Sequence, residues 1–277
     1  MADWAVGLST GCFSRIPFVD ALEIIRGNGF EIVEVCSLPE HLDYHDAEAV
    51  DRASRKLQEL SMEPYSFHAP FAPDLDITSR DRGQRERALK EIETAARAAA
   101  ALGVKYFVLH PGPETGEIPS SERIERMHNA VSVLNRVEQL CRELGTQLVL
   151  ENMLPHLFSG PVRDLLWLLG ALDTARVGIC LDTGHAHLSG DLPTVVHKLS
   201  GHLWAVHASD NHGQGDDHLP PGDGDVDWER LLRHLHRVGY RGSIILEIAG
   251  SEDLDKVMEA AHRGRRHIRR VARRLEP

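Results

Sequence analysis

The chain has 277 residues and a formal charge of -11, with 31 Lys and Arg against 42 Asp and Glu. Nonspecific nucleic-acid affinity comes mainly from Lys and Arg displacing counterions, so this balance argues against a generic polyanion binder. No basic segment followed by an apolar stretch opens the chain, and no uninterrupted apolar run reaches the roughly 18 residues of a membrane span. A soluble, untargeted cytoplasmic protein without membrane association is expected.

Along the chain, short apolar runs rich in β-formers alternate with longer segments of helical periodicity. The strands predicted in order are AVGLST (5–10), FEIVEV (30–35), PYSFHA (64–69), VKYFVLH (104–110), TQLVLE (146–151), VGICLD (177–182), LWAVHA (203–208) and SIILEI (243–248). Between them lie stretches such as RERALKEIETAARAAAAL and RIERMHNAVSVLNRVEQLCREL, whose apolar residues recur every three or four positions. Gly29, Gly103, Gly145 and Gly239 each follow a helix and precede a strand, where a left-handed stop belongs. Eight β-then-α units with no linker or composition break predict one domain over residues 1–277, a closed (β/α)8 TIM barrel of the α/β class. Cys12, Cys36, Cys141 and Cys180 are far apart and form no CxxC pair, which fits a reducing compartment.

In such a barrel, polar residues at strand C-termini point into a shared site. Strand three ends in His68, strand four in His110, strand five in Glu151, strand six in Asp182 with His185 just beyond, strand seven in His207 and strand eight in Glu247. A lone strand-end His is more often structural than a ligand. Six consecutive strands delivering carboxylates or imidazoles to one mouth are a different matter, because such a cluster is costly without a cation. Mixed oxygen and imidazole donors fit Zn, Mn, Co or Fe better than an all-oxygen Mg or Ca cage. Asp182 is thus a predicted metal ligand, and His187, further into the descending loop, a solvated or structural residue. The loop after strand seven holds six Asp between residues 210 and 227 and no Lys or Arg, and it places Asp216 and His218 one residue apart. The Pro-Pro-Gly that follows His218 would stiffen it.

The segments FHAPF (67–71), VLHPG (108–112), VLEN (149–152), CLDTGHA (180–186), VHASDN (206–211), DDHLPPGDGDVDW (216–228) and ILEI (245–248) together resemble the xylose isomerase-like TIM barrels, which group sugar isomerases and epimerases with endonuclease IV. The resemblance spans nearly the whole chain. It implies either one ion, often Mn, on Glu151, Asp182, His207 and Glu247 with His185 on the substrate, or three Zn ions. In the three-ion case the ligand groups would be His68, His110 and Glu151; Glu151, Asp182, His207 and Glu247; and His185, Asp216 and His218, with Glu151 bridging. This chain departs from endonuclease IV after strand five, where it carries MLPHLFSG, and its top-face loops are acidic, with Arg15, Arg80 and Arg82 the exceptions.

The expected activity is therefore that of a divalent-metal-dependent sugar or cyclitol isomerase or epimerase. It would pass through a metal-stabilised enediolate, with Glu151 and Glu247 as the acid/base pair and His185 holding a substrate oxygen. The alternatives are a trinuclear zinc phosphodiesterase acting on abasic sites and a dehydratase or lyase on a keto-sugar. Phe13, Phe71 and Phe158 are candidate stacking residues for a ring, with Asn152 and His156 as further substrate contacts. The acidic loops favour a neutral carbohydrate-like substrate over a phosphorylated one. The Arg-rich end, with Val257, Ala261, Gly264, Ile268, Val271 and Leu275 at helical spacing, is expected to be the outer face of the last helix. A homo-oligomer is left open.

Overall fold

A computed structural model describes residues 4–114 and 118–275. Its eight strands are β1 (Val6–Ser9), β2 (Ile32–Cys36), β3 (Glu63–His68), β4 (Tyr106–Leu109), β5 (Gln147–Glu151), β6 (Gly178–Asp182), β7 (Leu203–Ala208) and β8 (Ile244–Leu246). They pair in sequence order, all parallel, and β8 returns to β1 through Val6↔Ile244 and Leu8↔Leu246, closing the barrel. Every predicted strand is present. β4 and β8 are shorter than expected, so His110 and Glu247 stand one residue beyond their strands, although the Glu247 amide still donates to the Ala208 carbonyl at 3.1 Å.

The described helices are α1 (Phe18–Gly27), α2 (Ala47–Glu59), α3 (Arg82–Leu102), α4 (Arg123–Leu144), α5 (Val162–Ala171), α6 (Thr183–Leu188), α7 (Leu192–Leu199), α8 (Trp228–Arg237) and α9 (Leu254–Arg274). Gly29, Gly103, Gly145 and Gly239 all have positive φ, at 72°, 79°, 81° and 78°, as the helix-stop reading requires. Residues 183–188, expected to be a descending loop, are instead helical. The Asp182 carboxylate accepts from the His185 amide at 2.6 Å and so starts α6 directly at the end of β6. On α9 the buried face is Val257, Met258, Ala261, Gly264, Ile268 and Val271, which leaves the arginines outward as expected. Gly264 is needed there, since a Cβ at that position would come within 2.8 Å of the Pro221 ring. No helix of the described residues is long and apolar enough to cross a membrane, and all four cysteines are buried and free.

The two-residue period of the strands stacks five of the mouth residues on apolar ones, while His68 stands above Ser66. Val108, Val149, Cys180, Ala205 and Ile245 belong to a small core cluster separate from the main one. Two positions further along the same strands stand His110, Glu151, Asp182, His207 and Glu247. The intervening residues, among them Leu109, Leu150, Leu181, Val206 and Leu246, join the large core beneath the helices.

The loop from β7 to α8 is built around Asp210, which is fully buried. One carboxylate oxygen accepts from the amides of Asn211 and Val226, both at 3.0 Å, and the other from the Gly222 amide at 2.8 Å and the Trp228 indole at 2.7 Å. Its backbone also exchanges two hydrogen bonds with Leu219. Replacing Asp210 with Ala would leave several buried donors without an acceptor. We expect a loss of about 3 kcal/mol of stability in urea unfolding, with Asp216 and His218 losing their fixed positions.

Candidate functional site

The strand ends converge on Glu151. Its Oε2 lies 3.3 Å from His68 Nε2, 3.4 Å from His110 Nε2 and 3.4 Å from His207 Nδ1. Glu247 approaches the same His207 nitrogen at 3.1 Å. A second cluster sits beside it, where Asp216 Oδ2 is 3.2 Å from His185 Nε2 and 3.1 Å from His218 Nε2. The closed ladder therefore brings His68, His110, Glu151, Asp182, His185, His207 and Glu247 to one mouth, and the Asp210-centred loop adds Asp216 and His218.

Each histidine has one ring nitrogen committed outward. Nδ1 of His68 bonds the Ala69 carbonyl at 2.9 Å, that of His110 the Glu114 carboxylate at 2.5 Å, that of His185 the Asn152 carbonyl at 2.8 Å and that of His218 the Glu247 carbonyl at 3.0 Å. His207 is inverted, with Nε2 bonded to Glu34 at 2.7 Å. The opposite nitrogen of every ring faces the carboxylates. Among buried side-chain atoms with no hydrogen-bond partner are His110 Nε2, Glu151 Oε2, Asp182 Oδ2, His207 Nδ1 and Asp216 Oδ1. Buried polar atoms are rarely left this way. Donor atoms of His68, His110 and Glu151, and separately of Glu151, Asp182, His207 and Glu247, fall within 4.8 Å of one another, so both groups fit a divalent cation. The Cys180 thiol, from the layer below, reaches a similar distance from Glu151 and His207.

The electrostatics carry the same imprint. Burial alone would lower the histidines, but the Glu151 charge and the Glu114 hydrogen bond raise His110 to about 9. Asp182 and Asp216 outweigh burial to raise His185 to about 11, and Asp216 with Glu247 raises His218 to about 10. Burial pushes Asp182 up to about 6 against the pull of His185, while His207 overrides burial to hold Glu247 at about 2.

Above this cluster is a cavity of about 220 Å³. It is lined by His68, His110, Glu114, Glu151, His185, Asp216, His218 and Glu247 together with Phe71, Met153, Leu154, His156 and Leu157. Of the expected substrate contacts, Phe71 and His156 line it. Phe71 packs edge-on against His68 with ring centroids 5.1 Å apart. Phe13, Phe158 and Asn152, also expected as contacts, do not line the cavity. Phe13 is 1% exposed within the hydrophobic core, Phe158 is buried beneath the Arg123 guanidinium at 5.2 Å, and Asn152 spends its amide on the backbone of Asp182 at 3.0 and 2.8 Å. Short apolar positions after a strand look alike in sequence whether they face the mouth or plug the gap beneath a helix. A larger depression of about 670 Å³ lies on the barrel flank beside Arg136, Arg142 and Arg176, away from the strand ends. Glu34 and Glu114 were missed by sequence reasoning. A carboxylate at an inward position of an apolar strand was the available signal for Glu34.

Comparison with known proteins follows the same lines. The chain is 29% identical over 265 residues to an uncharacterized protein of Methanocaldococcus jannaschii, covering 93% of this chain and 88% of that protein. It is 26% identical over 206 residues to a probable endonuclease 4 of Mycoplasmoides gallisepticum, covering 68% and 66%. A solved structure described as a D-tagatose 3-epimerase-like protein superposes with a TM-score of 0.83 at 25% identity, covering 96% of this chain and 98% of that one. The fold is thus one that sugar epimerases share. Residues 22–271 match the family described as xylose isomerase-like TIM barrel, and the chain belongs to that family.

Proposed function

We propose that this protein is a divalent-metal-dependent isomerase or epimerase of a small, neutral, carbohydrate-like carbonyl compound. The observation that carries this reading is the cavity. It is small, lined by carboxylates and imidazoles together with Phe71, Met153, Leu154, His156 and Leu157, and no Lys or Arg is among its lining residues. A sugar or cyclitol offers both hydroxyls for such polar groups and an apolar ring face for such apolar ones. A phosphorylated substrate would find no Lys or Arg among these lining residues. The similarity to a D-tagatose 3-epimerase-like protein supports the same substrate class.

A cation held by Glu151, Asp182, His207 and Glu247 would supply the positive charge that makes a proton beside a carbonyl easier to remove, whether Zn or Mn fills the position. Glu247 has a side chain 24% exposed and is placed to exchange a proton with a molecule in the cavity, whereas Glu151 at 2% lines it from beneath as the partner carboxylate. His185 presents Nε2 to the cavity with its other nitrogen fixed on the Asn152 carbonyl, which suits it to hold a substrate oxygen. Asp182 and His207 are fully buried and do not line the cavity.

A second reading rests on the His185–Asp216–His218 group. With His68 and His110 it offers room for up to three ions, and a Glu151 shared between two ions would be a poor base. The chemistry would then move to metal-assisted phosphodiester hydrolysis, in keeping with the similarity to a probable endonuclease 4. The two separate cleanly. The first requires deuterium uptake from D2O at the α-carbon of ketoses or inososes, lost on chelation; the second requires three tightly held Zn ions and cleavage of duplex DNA at an abasic site. Exchange seen only with phosphorylated sugars would refute the neutral-substrate assignment.

Variants rank the site. Asp182→Asn should lower turnover at least ~100-fold and weaken metal retention, since it removes a charge from the centre of the cluster. His185→Ala should also cripple turnover. His187→Ala should stay within a few-fold of wild type, because that ring bonds Asn211 Oδ1 at 2.8 Å and does not line the cavity. Turnover and metal content of the three variants check this order, and an inactive His187→Ala beside an active His185→Ala would overturn it.

Cation uptake should be coupled to protons. His110, His185 and His218, raised to about 9, 11 and 10, are protonated at neutral pH in the cation-free protein. Raised histidines stabilise the fold fully below their unfolded value and lose that contribution as pH climbs through their folded values, from about 9 to 11. A cation on Glu151, Asp182 and Glu247 offsets the carboxylate charge that favours these protons, so its affinity should rise from pH 6 to pH 9. Calorimetry of Zn binding in two buffers of different ionisation enthalpy should report proton release at pH 7.

A further inference from the structure

Glu34 is a fully buried carboxylate that the proposed chemistry does not use. It stands at an inward position in β2, one layer below the donors. Its Oε1 accepts from Ser9 Oγ at 3.1 Å, and its Oε2 from Ser66 Oγ at 2.8 Å and His207 Nε2 at 2.7 Å. Among the described residues, its one ionic partner is that histidine. A charge kept inside a barrel with two hydroxyls and one imidazole is expensive unless the imidazole arrangement is what it secures.

His207 is also the odd ring of the five. The other four fix Nδ1 and offer Nε2, whereas His207 fixes Nε2 and offers Nδ1, which is buried, unpartnered and 3.1 Å from Glu247 and 3.4 Å from Glu151. A neutral imidazole carries one ring proton, and an ionised carboxylate only accepts. Nε2 is the nitrogen hydrogen-bonded to Glu34 whereas Nδ1 makes no hydrogen bond, so a single ring proton belongs on Nε2, and Nδ1 is left as a bare lone pair aimed at the Glu151–Asp182–Glu247 group. We infer that Glu34 is a positioning residue that holds His207 in its Nε2–H form and, through the ring, strengthens Nδ1 as a cation donor. This rests on the reading that the mouth holds a cation, and it assigns a role to a strand that supplies no ligand of its own.

Two substitutions separate charge from geometry. Glu34→Gln keeps size and an acceptor but removes the charge, and Glu34→Ala removes both. With folding verified by near-UV circular dichroism, Zn affinity measured by chelator competition should fall about 10-fold in Glu34→Gln and about 100-fold in Glu34→Ala. Nitrogen-15 spectra of the chelator-treated wild type at alkaline pH should show the His207 proton on Nε2, and Glu34→Ala should show a mixture of the two ring forms. A wild-type proton on Nδ1, or Zn affinity unchanged in Glu34→Gln, would overturn the assignment. A folded wild type that takes up no Zn would instead sink the functional reading, and the ring-proton measurement would still decide what Glu34 does.

Discussion

One oxygen organises the mouth of this barrel. Oε2 of Glu151 is buried, has no hydrogen-bond partner and is faced by ring nitrogens of His68, His110 and His207 at 3.3 to 3.4 Å. An acceptor in that position demands positive charge between itself and the rings, supplied either by protons or by a cation. The outward hydrogen bonds of all five histidines turn one nitrogen of each inward. The carboxylates of Asp182 and Glu247 then crowd the same volume. Asp182 is pushed up to about 6 by burial, a sign of how poorly the fold tolerates this cluster with protons alone.

Two kinds of scaffold hold the donors. Those on strands inherit their aim from the parallel ladder, where a one-residue slip would send them under the helices. Asp216 and His218 have no ladder, and their loop is folded instead around the buried Asp210 carboxylate. His218 itself has φ of 47°, a left-handed conformation uncommon outside glycine. Strain of that kind persists where the surroundings over-determine it, and here the Glu247 carbonyl, Asp216 and the two buried prolines that follow do so.

The barrel was legible because its two periodicities were unmixed, with short β-rich runs punctuated by Gly29, Gly103, Gly145 and Gly239. The gathering of the polar strand ends was legible for the same reason, since a His or carboxylate closing an apolar run can point only to the mouth. Hydrogen bonds formed across the fold were not. Glu34 reads as an ordinary residue of FEIVEV until closure sets it against His207, 173 positions away. By sequence Asp210 is one of six acids in its loop, yet in the fold it is the most heavily bonded of the six. Phe13 and Phe158 do not line the cavity, and sequence does not separate a residue facing the mouth from one packed in the core.

The length of that Glu34–His207 separation bears on how the molecule is assembled. Donors come from six successive strands, and the ring orientation of one of them depends on β2, so no fragment of the chain contains a finished site. Contacts between residues so far apart in sequence slow folding, because the entropy of loop closure is lost before they are made. A cation that needs all of these donors can bind only the closed barrel. Its binding would draw the equilibrium toward the native state by mass action and slow escape from it, acting as a late clasp on a structure that the apolar layers had already closed.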